Sequence, residues 1–121
     1  MNLDDVERWM DRYLKAWTSN EPADIESLFT DDVRYYLTPS SEPWVGRDAV
    51  VDGWLGAKDE PGTWDFRYEP LALAGTLAFV RGWTDYHEDP PKSYDNLWVI
   101  QFAHAERCSE FTEWYEKRPT S

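Results

Sequence analysis

The hydrophobic periodicity of this chain changes near Gly62, and this change constrains the fold more than any other feature. Before Gly62, apolar residues mostly recur every three or four positions, which is typical of helices that bury one face. After it, apolar and polar residues alternate along four segments, as in strands with two different faces. Helices followed by a run of strands predict an α+β domain: a cone-shaped, curved antiparallel sheet with three N-terminal helices on its concave face.

The first helix has the clearest pattern. Its apolar residues keep the helical spacing without a gap: Val6, Trp9, Met10, Tyr13, Leu14 and Trp17. Asn2 is predicted to cap this helix, because a short polar side chain can accept hydrogen bonds from the first free backbone N–H groups. A short second helix is predicted from Pro22 through Phe29, and a third after Gly46 that carries Trp54.

The strands are predicted from alternation. The first runs from Val33 to Leu37 and places Val33, Tyr35 and Leu37 on one face, and Gly75–Thr76 predicts a later hairpin turn. On the third-last strand one face carries Leu77, Phe79, Arg81, Trp83 and Asp85, and on the next strand one face carries Tyr94, Asn96, Trp98, Ile100 and Phe102. On the last strand one face carries Ser109, Phe111, Glu113 and Tyr115, and Cys108 lies on the opposite face.

Length and charge exclude several classes of partner. The length of 121 residues predicts a single domain over residues 1–121. A net charge of −12 argues against nucleic acid and anionic membrane surfaces, because both require a basic face. The acidic N-terminus has no apolar signal core and no stretch approaches transmembrane length, so we expect a cytoplasmic protein. Cys108 cannot form an internal disulfide and is expected to be a packed thiol.

The aromatic content points to a cavity. Eight Trp, seven Tyr and five Phe supply more ring surface than a core of this size requires. We therefore expect a pocket for a small hydrophobic or aromatic molecule, with four tryptophans as a stacking cage: Trp17, Trp54, Trp83 and Trp98. The alternative is an aromatic core with little free space, in which a tryptophan plugs the cavity.

Two charged residues lie on otherwise apolar strand faces. Glu113 there is a candidate general base or polar anchor, and Arg81 is a candidate partner that orients it. Tyr13 or Tyr35 would donate a hydrogen bond to a developing oxyanion or position a water molecule. The alternative for Glu113 and Arg81 is a buried ion pair that only fixes two adjacent strands. The alternative for the tyrosines is simple packing.

No sequence pattern indicates a metal or cofactor. His87 lies near Asp85 and Glu88, but successive strand residues point to opposite faces and cannot converge on one ion. The chain has neither a Gly-rich phosphate loop nor a nucleophile elbow. We therefore expect that any chemistry is free of cofactors and metals.

Several local strings resemble the nuclear transport factor 2-like superfamily, and within it the SnoaL-like proteins. These strings are Arg12–Tyr13, Leu28–Val33, Gly46–Val50 and the terminal stretch Asn96–Tyr115. The resemblance covers essentially the whole chain and implies one SnoaL-like domain over residues 1–121. It implies little about function, because this superfamily includes isomerases, hydrolases, cyclases, dehydratases and non-catalytic modules.

The resemblance extends to two catalytic branches. Against the ketosteroid isomerases, Tyr13 matches the tyrosine that donates to the oxyanion. Leu37 occupies the position of the aspartate that serves as general base. The position of the second acid that donates to the oxyanion falls near Trp98. Isomerisation by that mechanism is therefore not expected.

Against the limonene epoxide hydrolases, Tyr35 matches a tyrosine that helps to hold the attacking water. Leu37 replaces the asparagine that lies two residues after this tyrosine in those enzymes. Arg81 matches the arginine between two carboxylates, with Trp83 at one carboxylate position and Glu113 at the other. Half of that catalytic set is missing, which argues against epoxide opening.

The sequence therefore gives two functional hypotheses. The first is a small-molecule-binding protein, or a cofactor-free hydrolase, isomerase or cyclase acting on a hydrophobic or polycyclic substrate. The second is a non-catalytic ligand-binding or dimerisation module that has lost the general base. The candidate catalytic residues are Glu113, Arg81, Tyr13 and Tyr35. The candidate substrate-binding residues are Trp17, Leu37, Trp54, Trp83, Asn96, Trp98 and Phe111.

The predicted outer face of the sheet is unusually apolar. It carries Leu97, Val99, Thr112 and Trp114, which are too hydrophobic for a fully solvated surface. We expect a homodimer through this face, as the resemblance also implies. A heteromeric partner is the alternative.

Overall fold

The computed structural model describes residues 1–119, which form three helices and six strands. In chain order they are α1 (Leu3–Ser19), α2 (Pro22–Glu26), β1 (Phe29–Tyr36), β2 (Trp44–Val45), α3 (Arg47–Gly56), β3 (Trp64–Ala74), β4 (Leu77–Tyr86), β5 (Lys92–His104) and β6 (Arg107–Lys117). The sheet is curved and unclosed, and the helices cover its concave face. The α+β cone predicted from the sequence is confirmed.

The cap at Asn2 is confirmed. The Asn2 side chain accepts from the Asp5 N–H at 3.0 Å, and the Asp5 carboxylate accepts from the Asn2 N–H at 2.8 Å. This reciprocal pair satisfies two backbone donors at the start of α1. The buried face of α1 consists of Val6, Trp9, Met10, Tyr13 and Ala16.

Helix α2 is shorter than predicted. It ends at Glu26, and Phe29 already belongs to β1. Backbone bonding to β6 explains the difference, because the Cys108 N–H donates to the Leu28 carbonyl at 2.9 Å. The Arg107 guanidinium also donates to the Phe29 carbonyl at 2.9 Å. These tertiary bonds hold the chain extended where local spacing favours a helix.

The six strands lie in the order β2-β1-β6-β5-β4-β3. Neighbouring strands are antiparallel except for β1 and β6, which run parallel. The sheet is therefore antiparallel as predicted, with this one pair as the exception. No hairpin joins β1 to β6, so chain connectivity does not force them to run in opposite directions. The two-residue strand β2 was not predicted.

Small residues of β4 line the concave face. Ala78, Val80 and Thr84 are buried there, and Gly82 lies between them. A Cβ atom at Gly82 would lie 2.5 Å from Cζ of Phe66, so only glycine leaves room for this ring. Because large rings from other elements occupy the concave side, the bulky residues of β4 point outward.

A bulge in β6 changes the face of Cys108. Phe102 pairs with Cys108 while the preceding Gln101 pairs with Glu110, so β6 contains one extra residue. Cys108 is consequently fully buried on the same side as Phe111. The prediction that Cys108 lies on the opposite face is wrong for this reason, whereas its assignment as a packed thiol is consistent with its burial.

One end of the concave side, here called the closed end, is tightly packed. It consists of the buried side chains Trp9, Ile25, Leu28, Phe29, Phe102 and Cys108. The Trp9 ring lies 5.4 Å from Phe102 and 6.2 Å from Phe29, and its Nε1–H donates to the Leu28 carbonyl at 3.0 Å.

Candidate functional site

The other end of the concave side, here called the open end, contains a cavity of about 490 Å³. It lies between helices α1 and α3 and the inner face of β4–β6. Nine aromatic side chains line it: Tyr13, Trp17, Tyr35, Trp44, Trp54, Tyr86, Tyr94, Trp98 and Tyr115. The charged and polar lining residues are Lys58, Asp59, Thr84, Glu88, Lys92, Asn96 and Glu113. The rings therefore surround free volume at this end.

Glu113 of β6 is held by side chains of β5. Its Oε2 accepts from the Trp98 indole N–H at 2.6 Å and from the Asn96 amide at 3.0 Å. The strand register places Trp98 directly opposite Glu113 on the same face. Within the described residues, Oε1 of Glu113 makes no hydrogen bond. One carboxylate oxygen is thus fixed and the other is available to the cavity.

Asn96 is itself held in one orientation. Its Oδ1 accepts from the Thr84 hydroxyl of β4 at 2.8 Å, and both residues are buried. With Oδ1 facing Thr84, the amide nitrogen faces Glu113. A chain of hydrogen bonds from Thr84 through Asn96 therefore sets the position of the carboxylate.

The environment raises the pKa of Glu113. Burial has the largest effect, and the hydrogen bonds from Trp98 and Asn96 act in the opposite direction without cancelling it. None of the ion pairs formed by residues 1–119 involves Glu113. Its charge is stabilised by neutral donors alone.

Two tyrosines form a hydroxyl pair in the cavity wall. The Tyr13 and Tyr35 oxygens are 2.7 Å apart, and both side chains are only 6% exposed. Burial raises the pKa of both hydroxyls, and the charge of Glu113 raises them further. Because one hydroxyl donates to the other, the accepting hydroxyl keeps its own proton free for another acceptor.

Side chains at the mouth are also joined by hydrogen bonds. The Trp17 indole N–H donates to Asp59 at 3.1 Å, and the Trp54 indole N–H donates to the Asn20 side chain at 3.3 Å. The Asn20 amide donates in turn to the Asp59 carbonyl at 3.2 Å. This network connects the end of α1 to the segment after α3.

The predicted pairing of Glu113 with Arg81 is wrong. Arg81 lies on the outer face, where its guanidinium contacts Glu69 at 2.9 Å. Trp83 lies on the same outer face beneath two guanidinium groups, with Arg67 4.3 Å and Arg81 5.2 Å from the ring centre. The packing of small β4 residues inward excludes both Arg81 and Trp83 from the cavity.

Phe111 also differs from its predicted place. It is fully buried and stacks on Tyr35 with ring centres 4.5 Å apart, so it supports the cavity wall from behind. The remaining predicted residues line the cavity: Tyr13, Trp17, Tyr35, Leu37, Trp54, Asn96, Trp98 and Glu113.

Several lining residues were missed. Thr84 and Tyr86 share the small-residue face of β4, so the correct choice of face would have identified both. Tyr115 shares the face of Glu113, which the alternation already indicated. Asp59 follows α3 in a segment without periodicity, and no sequence pattern pointed to it.

None of the helices in residues 1–119 is long and apolar enough to cross a membrane. No group of three or more His, Cys, Asp or Glu side chains in that range lies close enough to hold a metal ion.

Comparison with known proteins agrees with this architecture. Residues 10–113 match the family model described as a SnoaL-like domain. A search of curated proteins found no significant match.

Solved structures are similar over most of their length. An NTF-2 like protein of unknown function from Burkholderia xenovorans shares 12% identity at a TM-score of 0.75, covering 100% of this chain and 90% of that one. A ketosteroid isomerase-like protein from Erwinia carotovora atroseptica shares 20% identity at 0.65, covering 97% of both chains. An LEH-like epoxide hydrolase from M. tuberculosis shares 11% identity at 0.69, covering 93% and 84%. At these identities the likeness shows the fold alone.

Proposed function

We propose that this chain, which belongs to the SnoaL-like domain family, binds a small molecule with an aromatic or polycyclic frame in the cavity at its open end. The observation that carries the proposal is a cavity of about 490 Å³ lined by the half-buried Glu113, one carboxylate oxygen of which bonds to none of the described residues. This volume lies within the range of roughly 300–1,000 Å³ that is usual for small-molecule sites. Aromatic walls supply the apolar contact, and Glu113 supplies the polar anchor.

The same geometry supports acid–base chemistry on a suitable substrate. A carboxylate with a raised pKa is better matched to proton transfer near neutral pH than an ordinary one. Glu113 would accept the proton, and the free hydroxyl of the Tyr13–Tyr35 pair would donate to the oxygen on which charge develops. The reaction would be a cofactor-free hydrolysis, isomerisation or cyclisation.

A non-catalytic binding module is the second candidate. Leu37 lines the cavity where the ketosteroid isomerase alignment places a base, and Arg81 lies outside the site. Both observations favour a scaffold that kept its cavity and lost part of a catalytic set. Trp98 forms one wall of the cavity and leaves it open.

Binding is tested by titrating 2-naphthol and following the fluorescence of the cavity tryptophans. Ala57→Phe places a ring in the cavity from an exposed position after α3, and should weaken 2-naphthol binding about ten-fold or more. Ala103→Phe, at an exposed position of β5 outside the cavity, is the matched control. Failure of the wild-type protein to bind, or equal affinity in both variants, would contradict the proposal.

Catalysis is tested with the molecule that native mass spectrometry finds retained by protein from its own host. Glu113→Gln should abolish its turnover even at saturating concentrations of the molecule, because glutamine keeps the acceptor oxygen but is not a base. Wild-type protein that leaves the retained molecule unchanged would favour the binding module.

We propose in addition that the outer face of the sheet forms a homodimer interface. Trp114 is 51% exposed at the edge of a patch that includes Leu97, Val99 and Thr112. Exposed apolar patches of this kind are typical of protein contacts. The cytoplasmic location expected from the sequence stays a prediction.

Light scattering with size exclusion tests the interface. Trp114→Ser should shift a dimer to monomer, whereas Val45→Ser, an exposed change on β2, should not. A wild-type monomer at micromolar concentration would exclude the homodimer.

A further inference from the structure

Glu113 is one of three acidic residues that line the cavity, beside the half-buried Asp59 and the exposed Glu88. Its neighbours Trp98 and Asn96 are neutral donors, and both bind the same oxygen, Oε2. Among residues 1–119 no lysine or arginine forms an ion pair with it. A desolvated carboxylate without a counter-ion is costly to keep charged, so it either takes up a proton or gains from a ligand that supplies the opposite charge.

The walls around Glu113 present aromatic rings. Trp98 and Tyr13 lie with ring centres 4.7 Å apart, and Trp54 lies 4.9 Å from Tyr13. Tyr86 and Tyr115 complete the lining near the carboxylate. The faces of such rings are electron-rich and attract cations, most strongly in tryptophan.

The rim of the cavity adds little positive charge. Lys92 is paired with Glu88 at 3.3 Å. Lys58 is exposed, so water screens its charge. Asp59 is a second lining carboxylate, and the whole chain carries a net charge of −12. The field at the mouth therefore favours the entry of cations over anions.

From this arrangement we infer that the ligand carries a protonated amine, which pairs with Oε1 of Glu113 while its apolar frame lies against the aromatic walls. The inference rests on the proposed function, since it specifies the ligand class of the same cavity. An ammonium group gains both a charge-assisted hydrogen bond and contact with the ring faces. A neutral hydroxyl gains a hydrogen bond to the carboxylate without the attraction between opposite charges, and an anion is repelled by Glu113.

Isothermal titration with three probes tests the inference. The probes are 2-phenylethylammonium, 2-phenylethanol and phenylacetate, which share a phenyl ring and differ in charge. Near neutral pH the ammonium should bind about ten-fold or more tightly than the alcohol, and phenylacetate should bind most weakly. Glu113→Gln should reduce the preference for the ammonium over the alcohol to about two-fold or less.

Glu116→Gln is the matched control, because it removes the same charge from an exposed position of the same strand. It should keep the wild-type preference. Binding of 2-phenylethanol to both variants verifies that their cavities are intact.

The outcomes separate the two proposals. If the alcohol binds wild-type protein as well as the ammonium does, the amine inference is overturned and the proposed function stands. A preference that survives in Glu113→Gln also overturns it, since another group then carries the recognition. If none of the three probes binds, the amine inference is overturned, and the 2-naphthol titration decides separately whether the proposed small-molecule function is contradicted.

Discussion

The two ends of the concave side are built from the same kinds of side chain and differ in how those side chains meet. At the closed end, Trp9 contacts rings on several sides and its indole N–H is bonded to a backbone carbonyl. At the open end, Trp54 and Trp98 have cavity on one side, and their N–H groups bond to polar side chains. Aromatic composition alone therefore does not distinguish a core from a binding site. The acceptors of the indole N–H groups do distinguish them: a backbone carbonyl at the closed end and polar side chains at the open end.

The largest expected effect tests the packing difference. Trp9→Ala should lower the free energy of unfolding by about 3–5 kcal/mol, because it leaves a cavity in a fully packed region. Trp54→Ala should cost roughly half as much, since one side of this ring already lacks packed neighbours. Urea denaturation of both variants measures the difference. Equal costs would mean that the two ends are packed alike.

A smaller effect of opposite sign is expected at Glu113. Its pKa is raised above the ordinary value of 4.5, so the folded protein holds this proton more tightly than the unfolded chain does. The free energy of unfolding of the wild-type protein therefore falls as pH rises from that value through the folded pKa. The Glu113→Gln variant has no carboxyl group to ionise here, so its free energy of unfolding does not fall in this way. It should be more stable than the wild-type protein by about 1 kcal/mol near pH 8.

Thermal unfolding of both proteins near pH 5 and near pH 8 measures this effect. The advantage of the variant should be smaller at the lower pH. Arg81→Gln, which changes a charge on the outer face, should show no such pH dependence. A variant destabilised at both pH values would show that the carboxylate is a structural element of the fold.

The smallest effect is expected at Tyr13, on the boundary between the two ends. Tyr13→Phe removes one hydroxyl of the pair, and Tyr35 can then bond to water in the cavity. We expect the free energy of unfolding, measured by urea denaturation, to fall by about 0.5–1 kcal/mol. The fall would be larger if the hydroxyl pair were sealed from water. The same comparison with Tyr35→Phe would show which hydroxyl faces the cavity.

The sequence predicted most of the fold because its strongest patterns are local. The spacing on α1, the Asn2 cap and the Gly75–Thr76 hairpin depend on neighbouring residues, and each is found where expected. The strings that carry the family resemblance also have structural roles. Arg12, for example, donates to the carbonyls of Ser27, after α2, and of Glu106, in the β5–β6 turn. Arg107 donates to the Glu26 carbonyl at the end of α2.

The two misplaced residues of β4 have one common cause. Alternation shows that a strand has two faces but does not show which face is concave. On β4 the larger residues were assigned inward, whereas Gly82 and its small neighbours make room for Phe66 and Trp98. Arg81 and Trp83 were misplaced for this reason.

What the sequence by itself determined is the order of elements, the cap of α1, the inner faces of β5 and β6, and the family. The tertiary structure alone decided the facing of β4, the bulge that buries Cys108, and the donors that hold Glu113. The physical reason is that periodicity is a property of neighbours along the chain. Burial and hydrogen bonding across a sheet depend on which strands meet, and that is settled only when the layers pack.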